Sequence, residues 1–288
     1  MAGCELCPRR CGALREEGQR GLCGADNRVL VARIAPHAWE EPCLSGTRGS
    51  GTVFFSGCPL GCVFCQNRAI RSGGVGRAYT VPELAEAFRS LEAQGVHNLN
   101  LVTPTQFTPQ IVAALDLARP GIPVVYNCGG YERTETLDTL RGRVSVFLPD
   151  FKYARAETAD RLAHAPDYPE VALAAIGRMI ELVGRPVTDG EGMLTRGVLV
   201  RHLVLPGYAD DSMKALRMLR SAFGDDIWIS VMNQYTPMPG MRPPLDRPVS
   251  EDEYTLVLDY ADHLGITEGF RQEGGTVSES FIPPFEDA

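Results

Sequence analysis

No run of eighteen apolar residues occurs in this sequence, so nothing in it predicts a membrane-spanning helix. Its first residues lack the apolar core of a secretory signal peptide, and a cytoplasmic protein with no membrane partner is expected. Positive charge is also scarce. Against 36 Asp and Glu there are 28 Lys and Arg, a net −8, so no broad basic surface invites nucleic acid. The sequence shows no internal repeat, no P-loop and no dinucleotide fingerprint, which removes the commonest nucleotide-binding readings. With 288 residues, 44% of them hydrophobic, the chain can bury a sizeable core.

What it does have is cysteine, nine residues, an odd number gathered in clusters. In a reducing compartment that pattern favours metal binding over disulfides. The organising stretch is Cys58-Pro59-Leu60-Gly61-Cys62-Val63-Phe64-Cys65, spaced C-x3-C-x2-C directly after the apolar run Val53-Phe54-Phe55. Thiolates are soft ligands, and a close set in one loop suits zinc or an iron–sulfur cluster. A structural zinc site wants four ligands, and this group stops at three. A 4Fe–4S cluster held by three cysteines keeps one iron open for another ligand. Gly57, Pro59 and Gly61 oppose a helix, so the segment reads as a loop able to wrap a cluster. The bland alternatives are a zinc loop or three reduced core thiols.

A second group, Cys4, Cys7, Cys11 and Cys23, has the spacing C-x2-C-x3-C-x11-C with interleaved glycines. So small a segment cannot build its own core and needs a staple. Four thiolates can close a zinc site or hold a second iron–sulfur cluster, and the sequence leaves that choice open. Arg9, Arg10, Arg15, Arg20 and Arg28 either offset the charge of such a site or form a solvated face. Val29 to Ile34 is expected as a strand that docks this knot, and the lone Cys43 as a small buried hydrophobe.

From residue 47 the patterns of strand and helix alternate, which predicts a parallel α/β sheet of βα units. Strands are expected over 52–56, 99–102, 122–126, 144–148, 197–205 and 227–232. Helices are expected over 80–94, opened by the capping box Thr80-Val81-Pro82-Glu83, and over 109–118, 132–140, 156–162, 169–182 and 212–222. A proline-rich connection, a helix over 250–264 and an edge strand over 266–272 follow, and the acidic end is expected to fray. The organisation expected is thus a cysteine-rich knot at 1–46, a core at 47–235 and a C-terminal wrap at 236–288.

The Cys58–Cys65 spacing, with Phe64 before the third cysteine, resembles the signature of the radical S-adenosylmethionine (SAM) superfamily. Six βα units resemble that superfamily's partial, open (β/α)6 TIM-like barrel. The resemblance to its uncharacterised pyruvate formate-lyase activating enzyme-like group runs from residue 4 to 237. It is carried by Cys4-x2-Cys7-Pro8-Arg9-x-Cys11-Gly12, Cys62-Val63-Phe64-Cys65-Gln66-Asn67, Asn100-Leu101-Val102-Thr103-Pro104-Thr105, Leu148-Pro149-Asp150-Phe151-Lys152, Arg201-His202-Leu203-Val204-Leu205-Pro206-Gly207 and Gln234-Tyr235-Thr236-Pro237.

The resemblance implies that Cys58, Cys62 and Cys65 hold a 4Fe–4S cluster whose open iron chelates SAM. Reductive cleavage would then give a 5′-deoxyadenosyl radical, so the radical comes from the cofactor and no residue is assigned as catalytic. Phe64, Asn127 and Gln234 are expected around the cofactor at the strands' C-terminal ends. Asp150 and Lys152, two apart on one face, would lie beside SAM, and Arg201 would reach its carboxylate. Thr103 and Thr105 stand where many relatives carry Gly-Gly-Glu. Cys128 is read either as a hydrogen-atom donor or as a packed thiol, and His202 as packed or hydrogen-bonded. The implied partners are a protein or peptide substrate, as for a glycyl-radical enzyme activase, and a flavodoxin- or ferredoxin-type reductant. A nucleoside or small-molecule substrate is the alternative within the superfamily. A non-catalytic iron–sulfur carrier or zinc module is the alternative outside it.

Overall fold

Aliphatic and β-branched runs become strands because such side chains pack well on both faces of a pleated surface. A computed structural model of the chain describes residues 3–272 and residue 285. In chain order the elements begin with β1 (Val29–His37), α1 (Pro42–Ser45), β2 (Ser50–Phe55), α2 (Arg68–Arg71), β3 (Arg77–Tyr79), α3 (Val81–Ala93) and β4 (Leu99–Val102). Next come α4 (Thr108–Ala118), β5 (Val124–Cys128), α5 (Thr134–Asp138), β6 (Val146–Pro149), α6 (Ala156–Ala163) and α7 (Tyr168–Val183). The chain continues through β7 (Val187–Thr188), β8 (Leu194–Leu203), α8 (Ala209–Phe223), β9 (Trp228–Met232), α9 (Glu251–His263) and β10 (Gly269–Arg271).

The sheet runs β10-β9-β8-β6-β5-β4-β2-β1-β3, with β7 paired to β8 off that path. From β2 through β4, β5, β6, β8 and β9 every neighbouring pair is parallel, as βα units require. Every residue of β4, β5 and β6 is buried, the signature of strands covered on both faces. β3 and β10 end the path, and among the described residues no strand joins them. The result is the expected mixed α/β architecture, a partial (β/α)6 barrel open on one side. Outside it, the capping box of α3 forms as read, and Leu84, Phe88 and Leu91 bury its apolar face. Each such side chain contributes about 1.5–3 kcal/mol by leaving water.

Three expectations need correction. The boundary at residue 46 does not divide the sheet, because β1 pairs antiparallel with both β2 and β3. The helix expected over 132–140 shortens to α5, because Glu132 is drawn into the core, where its carboxylate accepts from Thr105 and Tyr126. The strand expected over 197–205 instead begins at Leu194, because β7 folds back on it as an antiparallel partner. At the other end, α9 and the edge strand β10 form near their expected positions. The expectation for the acidic end lies mostly outside the described residues.

Candidate active site

The loop after β2 carries the first cysteine group to the C-terminal mouth of the barrel. Gly57 and Gly61 have φ of +90° and +69°, left-handed conformations that a glycine adopts without strain. Other segments pin the loop. Cys58 N donates to Cys23 O at 3.1 Å, Val63 N to Leu162 O at 2.9 Å, and Arg9 Nε to Pro59 O at 3.0 Å. Arg71 also donates to the carbonyls of Gly61 and Cys62. So held, Cys58, Cys62 and Cys65 line one open cavity. Burial pushes the Cys62 thiol up and takes Cys65 to about 12. Tyr153 donates its hydroxyl to Cys62 Sγ at 3.1 Å.

Among the described residues no three His, Cys, Asp or Glu side chains close on a single metal ion. Three soft donors facing one cavity, backed by the Lys152 cation near Cys62, are a donor set whose chemistry fits an iron–sulfur cluster.

The strand ends supply a polar ring around the rest of the cavity. Asp150 and Arg201 are bridged between β6 and β8. Arg201 donates from Nε to Asp150 Oδ1 at 3.0 Å, from Nη1 to Glu40 Oε2 at 3.2 Å and from Nη2 to Asn127 Oδ1 at 2.6 Å. Lys152 Nζ meets Asp150 Oδ2 at 2.5 Å. Burial alone would raise Asp150, but Lys152 and Arg201 outweigh it and hold the carboxyl below its usual range. Burial dominates at Glu40, whose carboxyl is raised although Arg201 opposes the shift. Three N–H groups of Arg201 are engaged, and a guanidinium has about five to give, so capacity remains for another carboxylate.

Of the other expected cofactor residues, Phe64, Thr103, Asn127 and Gln234 line the same cavity, as does Cys128. Thr103 has φ of +57°, a strained conformation for a β-branched residue of the kind that gathers at functional sites. Thr105 does not reach the cavity. A single 3-10 turn over Thr105–Phe107 directs its hydroxyl inward to Glu132 Oε1 at 2.6 Å. His202 is packed as expected, with Nδ1 2.6 Å from Phe151 O.

Sequence reasoning missed Glu40, Tyr153 and Gln66. Glu40 lies in the segment read as the knot, and the Glu40-Glu41 pair carries no signal of burial. Tyr153 follows the Asp-x-Lys motif directly, so a search one residue wider would have reached it. Gln66 donates to Gln234 O at 2.8 Å and ties the cysteine loop to the end of β9. The second cysteine group, Cys4, Cys7, Cys11 and Cys23, lines a small cavity of its own behind the loop.

Comparison with known proteins agrees with this fold. The chain is 28% identical over 274 residues to an uncharacterised protein of Methanocaldococcus jannaschii, covering 91% of this chain and 75% of that one. The structure is similar to that of SuiB from Streptococcus suis bound to S-adenosylmethionine, with a TM-score of 0.52 and 11% identity. That likeness covers 76% of this chain and 49% of SuiB, so this chain spans about half of SuiB's length. Residues 52–219 match the Radical SAM superfamily. This match embraces the barrel from the cysteine loop through α8, and with it the chain belongs to the radical SAM superfamily.

Proposed function

We propose that this radical SAM enzyme binds SAM in the barrel mouth and abstracts hydrogen from a protein or peptide, in the manner of a glycyl-radical enzyme activase. The superfamily implies a 4Fe–4S cluster and SAM, and Cys58, Cys62 and Cys65 are the residues that would hold the cluster. When bound, that pair supplies the chemistry: reductive cleavage of the sulfonium gives a primary carbon radical. The chain's own residues then bind and orient. Arg201 takes the methionyl carboxylate, held in position by Asp150, Glu40 and Asn127. Lys152 and Asp150 keep the pocket close to neutral, and Phe64 supplies an apolar wall.

One observation carries the polypeptide reading. The cavity runs from the three cysteines to His37 and Trp39 beside the open edge of the barrel, and Trp39 is 58% exposed. An exposed aromatic at the rim of the cavity suits contact with a loop of another protein. A radical takes hydrogen from whichever C–H group is held nearest, so proximity does the selecting. A backbone glycine, lacking a side chain, approaches closely.

The test is anaerobic turnover of the reconstituted enzyme with deuterated candidate proteins and peptides. Deuterium in 5′-deoxyadenosine is then read by mass spectrometry. Transfer from a protein supports the proposal. Transfer from a free nucleoside or metabolite, with none from any host protein, would decide for the small-molecule alternative.

A further inference from the structure

Tyr168 opens α7 and is fully buried, yet its one polar side-chain atom serves two other segments of the chain. The hydroxyl accepts from Lys152 N at 2.9 Å and shares its proton between Gly129 O at 2.9 Å and Asp150 O at 2.8 Å. One of these segments follows β5 and the other follows β6, and both line the barrel mouth. β6 has ended at Pro149, so the Lys152 N–H goes to the phenol instead of to a neighbouring strand. Burial pushes that phenol well above its ordinary range, so the proton stays in place. A phenylalanine ring would fill the same space. The hydroxyl is what joins the two strand ends, and backbone groups deprived of such a partner inside a fold are costly.

The joined segments carry the polar ring of the mouth. Asp150 Oδ1 accepts from Arg201 Nε, and Asp150 Oδ2 faces Lys152 Nζ. Their backbone at Asp150 and Lys152 is what Tyr168 holds. Across the joint, a methyl on Gly129 would lie 3.4 Å from Leu60 Cδ2 of the cysteine loop and 3.8 Å from Lys152 Cε. One on Gly130 would lie 2.2 Å from Asp150 O and 3.1 Å from the Tyr168 hydroxyl. The ring also faces the cysteine loop. Its centroid is 5.2 Å from that of Tyr153 at an interplanar angle of 70°, and Tyr153 donates to Cys62 Sγ. Tyr131 stacks on Tyr168 as well, at 6.1 Å and 23°, and is fixed by its own bond to Asp167 Oδ1 at 2.8 Å.

From this we infer that Tyr168 is a positioning residue for the SAM site. Through its hydroxyl it sets Asp150 and Lys152 toward SAM, and through its ring it keeps Tyr153 on Cys62. The inference rests on the proposed SAM site and is independent of the polypeptide reading.

Two substitutions separate hydroxyl from ring. Full-length wild type, Tyr168→Phe and Tyr168→Leu are reconstituted anaerobically. SAM affinity is read by calorimetric titration, the cluster potential without SAM by spectroelectrochemistry, and Tm by circular dichroism. Tyr168→Phe keeps the ring, so SAM affinity is expected to fall about tenfold with the potential as in wild type. Tyr168→Leu loses both, so its potential is expected to shift downward too, as the Tyr153 hydroxyl loosens from the sulfur. A residue that only packs the core would lower Tm in both variants and leave affinity and potential unmoved, and that result overturns the inference. So does a Tyr168→Phe protein that binds SAM like wild type. A wild type that binds no SAM overturns the site reading itself, and the inference with it. Should Tyr168→Phe misfold, Gly130→Ala intrudes on the same joint without removing the phenol, and unchanged SAM affinity there overturns the inference.

Discussion

Tyr153 reaches one of the three loop cysteines directly. Its hydroxyl donates to Cys62 Sγ, and a donor to a ligand sulfur stabilises the more negative, reduced form of a cluster. Tyr153→Phe is therefore expected to lower the reduction potential by tens of millivolts. About 1.4 kcal/mol of differential stabilisation corresponds to about 59 mV for one electron. Spectroelectrochemical titration measures this, and a potential that holds or rises would show the bond to be idle. At Arg201 the expected effect is on binding. Arg201→Ala removes a charge-assisted contact worth roughly 1.5–3 kcal/mol, which predicts SAM affinity weaker by about ten- to a hundredfold. Calorimetric titration checks it, and normal SAM binding would refute the role. Circular dichroism accompanies both variants, because removing Arg201 leaves Glu40 without the cation that it faces.

At the scale of elements, the cysteine loop works because two segments far apart in sequence are seated on one another. A methyl on Gly57 would stand 2.6 Å from Cys23 O at a φ of +90°, whereas one on Gly61, at +69°, meets nothing within 4 Å. Both substitutions impose a left-handed conformation on an L-residue, costing about 1–2 kcal/mol. Only Gly57→Ala also forces the loop and the Cys23 turn apart. It is expected to lose iron on reconstitution and to melt lower than Gly61→Ala, which should keep its iron. Equal iron content in the two variants would mean that the Cys23–Cys58 contact does not hold the loop. The elements themselves were largely legible in sequence. The capping box of α3 and the aliphatic runs of β4 and β6 are local patterns that survive any packing. β7 was not legible, because two exposed residues carry no periodicity and pair only after β8 is in place.

At the scale of the whole molecule, Glu132 links stability to pH. Burial raises its carboxyl from 4.5 to about 7, against the opposing hydrogen bonds from Thr105 and Tyr126. A carboxyl with a raised folded pKa binds more protons in the native state than in the unfolded one. Its contribution is therefore fully present below about pH 4.5 and is lost as pH climbs through 7. Glu132→Gln keeps the shape without the titration. Relative to wild type it is expected to gain roughly 3 kcal/mol between pH 4.5 and pH 8, as the buried carboxyl of the wild type is forced to ionise. Denaturant unfolding of both proteins across that range measures the difference. A difference that does not change with pH would sink the idea.

The sequence by itself carried the alternating βα units, the cysteine loop and the strand-end pair Asp150 and Lys152, whereas Arg201 and the partial barrel were reached through the family resemblance. Each of the first three rests on a short-range regularity: apolar periodicity, ligands within one loop, or residues two apart on one strand face. It also marked four N-terminal cysteines as one group. Tertiary structure decided what those groups meet. It brought Glu40 to Arg201 across 161 residues, turned Thr105 away from the cavity, buried Glu132, and set Cys23 against Cys58. Such contacts depend on the path of the chain through the sheet. In particular, β1 runs antiparallel to β2 and ends opposite its first residues, and the segment that follows brings Glu40 to Arg201, an approach that no local spacing encodes.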